Sequence, residues 1–357
     1  MRGVNLGDRL DDGANNFDVI RLFMAWAVLV SHSFTIVGVA EPFHQLGTTL
    51  GSAAVLIFFA ISGLLIRRSW ELDPRPVAFL RKRSLRILPA LVVVSVTCAL
   101  VLGPLVTDLP FRQYFSSMQT WSYPCWTVLM TPFGAVLPGV FVDLPRAYNV
   151  NGPLWTLRYE VIAYGLLLVM GMTQALSSRR IVTAVAATAI VWACLVAPEA
   201  PLFGGWNAVA AFAVGACAWS WRDRIGLSHP GAALAVLACL ASGLTGLLTV
   251  HVAVWTVAAV YLAFWAAFAL PLFGQRLVSW GDASYGLYIY AWPVQQSIVQ
   301  FLGTDTSPLL VTALATPAAW MLALASWLLV ERPALRGKPA PGPRSAPRPL
   351  AGHIGRE

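Results

Sequence analysis

Charge is what this chain has little of. Among 357 residues there are 24 Lys or Arg and 16 Asp or Glu, 11% together where an ordinary globular domain carries about 25%. So few charges cannot cover the surface of a soluble protein of this size, and a soluble enzyme is excluded. With 58% of residues apolar, a disordered chain is excluded too. Cysteine is sparse, at five. Cys98, Cys125, Cys194, Cys217 and Cys239 form no CxxC pair, lie mostly in apolar stretches and read as small buried hydrophobes. No metal-ligand spacing and no glycine-rich phosphate loop is present, so no metal is expected. A basic leader followed by a small-residue cleavage site is also missing, since Asp8, Asp11 and Asp12 precede the first apolar run.

What the chain does have is long apolar runs, too continuous for a membrane β-barrel. A spanning helix needs about 20 largely apolar residues. Windows of that kind fall at roughly 17–39, 50–66, 87–103, 154–174, 181–197, 203–221, 231–248, 251–271, 284–302 and 308–330. The expected fold is therefore an all-α polytopic membrane bundle of about ten transmembrane helices. Its membrane domain covers 1–332, and a Pro- and Arg-rich tail at 333–357 is expected to be disordered on the cytoplasmic side. One long outer connection, about 104–153, is rich in aromatics and proline, as loops that carry function or anchor at the interface are.

The net charge of +8 does not signal nucleic acid in such a chain. It follows topology. Alternate connections hold Arg67, Arg68, Arg75, Arg81, Lys82, Arg83 and Arg86, then Arg179 and Arg180, then Arg222 and Arg224, then Arg276. The intervening connections hold only Arg112 and Arg146 beside acidic residues. Positive loops stay inside, which puts both termini in the cytoplasm.

Ionisable groups inside spans are costly and mark function. Arg21 and His32 share the first span, about 20° apart in azimuth and about 16 Å apart along the axis. Either Arg21 reaches cytoplasmic headgroups or it shares a site with His32. Glu160 lies about 9 Å into the span that enters from outside, at a level that allows contact with His32. An imidazole can take a proton from a hydroxyl while a carboxylate fixes its tautomer; packing between helices is the simpler reading of His32. Tyr164, one turn beyond Glu160, and Arg158 are candidates for the acceptor side. In the cluster Arg81-Lys82-Arg83-Ser84-Leu85-Arg86, Arg83 and Arg86 share a helix face. This cluster either holds topology or clamps phosphate, which suits guanidinium donors.

These segments resemble the membrane-bound acyltransferase-3 family, which O-acylates bacterial surface sugars and some small molecules. The resemblance runs from about Asn16 to Pro333 and rests on FDVIR followed after ten residues by His32, on IFFAISGLLIRRSW, on RKRSLRILPAL, on NGPLWTLRYE, on SYGLYIY and on VERP. It implies an acyl-CoA donor, most simply acetyl-CoA, used from the cytoplasm, and a hydroxyl on an exopolysaccharide, lipid-linked oligosaccharide or similar acceptor. By position it implies His32 as the essential histidine, Arg21 as its partner, Arg83 and Arg86 as donor-side arginines, and Glu160 as the acidic residue of the WTLxxE motif. It also implies a bacterial cytoplasmic membrane. Where many relatives carry a second histidine, Ala291 stands here. No fused esterase-like domain follows the last span, so the bundle is expected to complete transfer by itself or with a separate protein. Two other classes fit ten spans and intramembrane charge: a proton-coupled transporter or flippase for a sugar or lipid, and a non-catalytic scaffold.

Overall fold

The computed structural model describes residues 5–42, 48–131, 136–196 and 203–339. Among them regular structure is helical, with only two isolated bridges, Asn5 to Gly226 and Thr107 to Val140. The elements are α1 (Leu6–Asp12), α2 (Phe17–Ile36), α3 (Leu50–Leu72), α4 (Pro76–Val106), α5 (Phe111–Ser116), α6 (Met118–Val128), α7 (Gly152–Met172), α8 (Arg179–Leu195), α9 (Phe203–Ser220), α10 (His229–Leu244), α11 (Leu248–Phe268), α12 (Ser284–Leu302) and α13 (Pro308–Leu335). Each apolar window of the sequence falls on one of the long helices. Six of the described helices, α2, α3, α4, α7, α11 and α13, are long and apolar enough to cross a bilayer, and α10 is a shorter apolar helix.

Two expectations change in detail. The third helix starts at Pro76 rather than near 87, so the basic cluster is its first turns and not a loop. Proline at the first helical position costs no hydrogen bond there. The expected long loop between α4 and α7 is partly helical. It carries α5 and α6; α6 packs along α4, and the Tyr114 hydroxyl of α5 donates to the Ala99 carbonyl of α4 at 2.7 Å. Residues 132–135 of that connection and 340–357 of the tail lie outside the described residues.

Between apolar helices in a bilayer the hydrophobic effect has little to separate, so small residues that allow close approach decide the packing. The α3–α9 contact shows this from both sides. A Cβ on Gly63 would stand 2.0 Å from the Phe212 carbonyl oxygen, and one on Gly215 would stand 2.2 Å from that of Ala60. A second small-residue seam joins α2, α12 and α13 through Ala25, Leu29, Leu287, Ala291, Ala315 and Ala319. Ala291 is therefore buried in a packed interface.

Polar contacts gather at two ends. At one, α1 is tied to the connection after α9 by Leu6 N–H to Ile225 O at 2.9 Å. At the same end Asp73 accepts from Arg75 at 2.6 Å and from Lys82 at 2.7 Å. The Arg75 hydrogen bond leads in holding the Asp73 carboxyl down at about 2. At the other end the connections into α3 and α7 are pinned by Leu50 N–H to Glu41 and by Asn151 to the Ile289 carbonyl at 2.8 Å. Basic residues crowd the first end, and a cavity opens at the second.

Candidate active site

The cavity has a volume of about 540 Å³. Its walls come from the end of α2 (Ser31, His32, Thr35), the start of α3 (Thr49, Ser52), the connection before α7 (Arg146, Asn149), and Trp155, Thr156, Asn207, His251, Trp255, Tyr288 and Trp292. Among the described residues its lining includes two histidines, one arginine and no carboxylate.

His32 sits four residues before the end of α2. Its ring meets Trp292 edge-on, with centroids 4.9 Å apart at 82°. The indole is itself fixed, donating to the Asn149 carbonyl at 3.0 Å. The His32 Nδ1 atom is buried and has no hydrogen-bond partner among the described residues. A buried nitrogen without a partner carries the desolvation cost of its hydrogen-bonding group uncompensated.

The expected contact between His32 and Glu160 is not made. Glu160 instead accepts a short hydrogen bond from the Tyr164 hydroxyl. The reason is depth. α2 stops at Ile36 and not near 39, which leaves His32 about 6 Å from its helix end. α7 opens with a tight turn at Gly152, which carries Glu160 about 12 Å inward. The two residues thus occupy different levels. Thr156, whose hydroxyl lies 2.6 Å from that of Tyr288, is the last α7 residue along the chain to line the cavity. Glu160 and Tyr164 follow at successive turns of the same helix face, leading away from the cavity.

That line ends at the basic cluster. The Arg83 guanidinium lies 5.9 Å above the Tyr164 ring, and its buried Nε has no hydrogen-bond partner among the described residues. Arg21 and Arg86 are spent differently. Both bind one oxygen of Asp282, at 2.7 and 2.5 Å, and Arg86 reaches Glu331 at 3.5 Å. Asp282 also accepts from the Ser284 hydroxyl and amide. Burial alone would raise the Asp282 carboxyl, but the charges of Arg21 and Arg86 hold it well below the usual carboxylate range. Lys338 stands near the same cluster. Its burial and the charges of Arg83, Arg86 and Lys82 push its ammonium below the ordinary lysine value. The structure therefore brings Arg21 to Arg86, and Arg83 to Tyr164 and Glu160.

Arg158 does not line the main cavity. It borders a smaller one of about 370 Å³, with Thr127, Tyr148 and Asn151, which shares Asn149, Gly152 and Trp155 with the first. Among the described residues no cluster could hold a metal ion.

Asp282, Glu331 and Trp292 are not singled out by the sequence, and Arg146 enters there only as a charge of the intervening connections. Asp282 had a signal, as the acid in a connection otherwise marked by Arg276, directly before SYGLYIY. Glu331 lay inside VERP. Nothing local distinguishes Arg146 or Trp292, whose roles come from partners more than 100 residues away.

Comparison with known proteins gives the family of this helical bundle. The acyltransferase-3 family model, described as an acyltransferase domain, matches residues 15–330. An O-acetyl transferase of Shigella phage Sf6 is 28% identical over 340 residues, covering 89% of this chain and 95% of the relative. Nodulation protein 10 of Rhizobium leguminosarum bv. viciae is 29% identical over 365 residues, covering 90% and 93%. No solved structure matches the chain. With nearly all of the helical bundle inside the matched region, this chain belongs to the acyltransferase-3 family and is a membrane O-acyltransferase.

Proposed function

We propose that the protein moves an acyl group, most simply acetyl, from cytoplasmic acyl-CoA to a hydroxyl of a surface saccharide, from a multi-pass position in a bacterial cytoplasmic membrane. The observation that carries this is the line of side chains on α7. Thr156 lines the His32 cavity, and Tyr164 touches Arg83 at the basic end. A donor held by its phosphates at one end can so present its thioester toward an acceptor entering at the other. The distribution of Arg and Lys supports ten spans with both termini and the basic end in the cytoplasm.

Arg83 is the phosphate contact in this reading, because Arg21 and Arg86 already share Asp282. Lys338 adds charge beside it. Arg21 and Arg86 shape the mouth and face the donor only as a triad with Asp282. In the cavity, His32 takes the proton of the acceptor hydroxyl as its oxygen forms a bond to the thioester carbonyl carbon. The C–S bond breaks, and the proton passes from His32 to the departing thiolate. Arg146, in the same cavity, is the cation available to the oxyanion formed in between. Glu160 and Tyr164 line the route of the donor arm. Arg158 faces the neighbouring cavity, where a further part of the acceptor would rest.

The test is His32→Ala, with O-acyl groups on the cell's envelope saccharide as the readout. Loss of acylation in a normally expressed variant is expected. Undiminished acylation overturns the reading.

A further inference from the structure

One face of α12 holds a single short stretch of the connection before α7. The Ile289 carbonyl accepts from the Asn151 side-chain amide at 2.8 Å. The Trp292 indole donates to the Asn149 carbonyl at 3.0 Å. The Gln296 amide donates to the carbonyls of Arg146 and Asn149, at 3.0 and 3.1 Å. Spacings of three and four place these α12 residues on one side of the helix. Gln296 is wholly buried. The carbonyls it holds belong to a turn, in which the Asn149 N–H donates to the Arg146 carbonyl at 3.3 Å. Tyr148, inside that turn, has a φ of 57°, in the left-handed region that a side chain other than glycine seldom enters. Such a conformation persists only where its surroundings over-determine it. Here α12 supplies the donors that do so.

The turn carries Arg146 and Asn149, which both line the His32 cavity. Arg146 Nε donates at 3.4 Å to the carbonyl of Thr35, three residues after His32 on α2. The Arg146 side chain is exposed, so packing does not fix it; its backbone is fixed, by Gln296. The same helix meets the His32 ring through Trp292. α12 is thus the common reference for the imidazole and the guanidinium.

We infer that Gln296 is a positioning residue for acyl transfer, acting through Arg146 by holding the turn that presents the guanidinium to the His32 cavity. The inference rests on the reading above, in which His32 takes the proton and Arg146 meets the oxyanion. A cation stabilises a transient oxyanion best when it is already in place, because ordering it during the reaction would consume the gain. Loss of Gln296 should therefore act on turnover and leave donor binding at the basic end untouched.

Full-length protein, purified in detergent, is given acetyl-CoA and alkali-deacetylated envelope polysaccharide of the producing cells. Polysaccharide-dependent thiol release is read per amount of monodisperse protein. Gln296→Met keeps the length of the side chain and removes the amide. It is expected to lower kcat about 10- to 100-fold, with the KM for acetyl-CoA unchanged. Arg146→Ala should lower kcat at least as far, and Gln296→Met added to it should lower kcat no further, because the two act in series. A double variant that falls by the product of the single losses makes Gln296 merely structural and overturns the proposal. So does Gln296→Met with the wild-type kcat, or a loss that falls on the KM for acetyl-CoA instead. Should Gln296→Met give no monodisperse protein, Gln296→Asn, which draws the amide back by one methylene, is read in the same cycle with the same outcomes. Arg146→Ala with the wild-type kcat overturns the oxyanion role of Arg146 and the positioning role with it. Wild-type protein that releases no thiol overturns the donor assignment beneath both.

Discussion

Arg21 Nη1 lies 2.7 Å from Asp282 Oδ2, across 261 residues of sequence. That one carboxylate oxygen, shared with Arg86, ties the starts of α2, α4 and α12 together at the basic end. Removing it leaves Arg21 without its ion pair and Arg86 with only Glu331, at 3.5 Å. Asp282→Asn is expected to cost about 3 kcal/mol, measured as a lower thermal midpoint in detergent. Adding Arg86→Met should recover part of the loss, because one of the stranded charges goes with it.

The same carboxylate gives a pH signature. Its folded value is depressed, so its contribution is fully present above the unfolded value, about 3.9. The contribution is lost only as pH falls through the lower folded value. The gap in thermal midpoint between wild type and Asp282→Asn should therefore stay constant between about pH 5 and about pH 8. On acidification below about pH 4, wild type and Asp282→Asn should converge. A difference that grows on acidification would contradict the assignment.

Arg83 is the cluster's candidate for the donor. Arg83→Ala should raise the KM for acetyl-CoA by about 10- to 100-fold, the worth of a charge-assisted contact. The thermal midpoint should fall little, since no ion pair to Arg83 is present among the described residues. Arg86→Ala should do the reverse and act chiefly on stability. Titration of purified variants with acetyl-CoA beside a melting curve distinguishes the two.

Tyr164 donates to Glu160 inside the bundle. Tyr164→Phe removes the donor and leaves a carboxylate oxygen unsatisfied, at about 1–3 kcal/mol. Tyr164→Phe combined with Glu160→Gln should cost less than the two changes summed, because the pair is coupled. A double-mutant cycle on thermal stability reads the coupling.

Gly63 and Gly215 set how closely α3 and α9 approach. An alanine at either meets a carbonyl oxygen of the facing helix, a backbone atom that cannot swing aside. Gly215→Ala should cost about 3 kcal/mol or more and show as lost monodisperse protein on size exclusion. Gly165, with open space around the missing Cβ, is the control, and Gly165→Ala should be close to neutral.

Much of this molecule was legible in its sequence. Apolar windows are local, and a run of about 20 apolar residues has one outcome in a bilayer, where every backbone amide must be satisfied within its own segment. The helices and the isolated ionisable residues in them, Arg21, His32, Glu160 and Arg83, were therefore visible one at a time. Their partners were not. Helix ends that shift by a few residues displaced His32 and Glu160 to different levels: His32 met Trp292, 260 residues away in the chain, and Glu160 took Tyr164, its neighbour one turn on. Likewise, RxxR read as one unit of two equal arginines, whereas packing gave Arg86 to Asp282 and Glu331 and left Arg83 over a tyrosine ring. Sequence alone determined the class of protein, because hydropathy sums along the chain. Which charge meets which, and that His251 shares a cavity with His32, was decided by azimuth and depth between helices, set by close contacts such as those at Gly63 and Gly215.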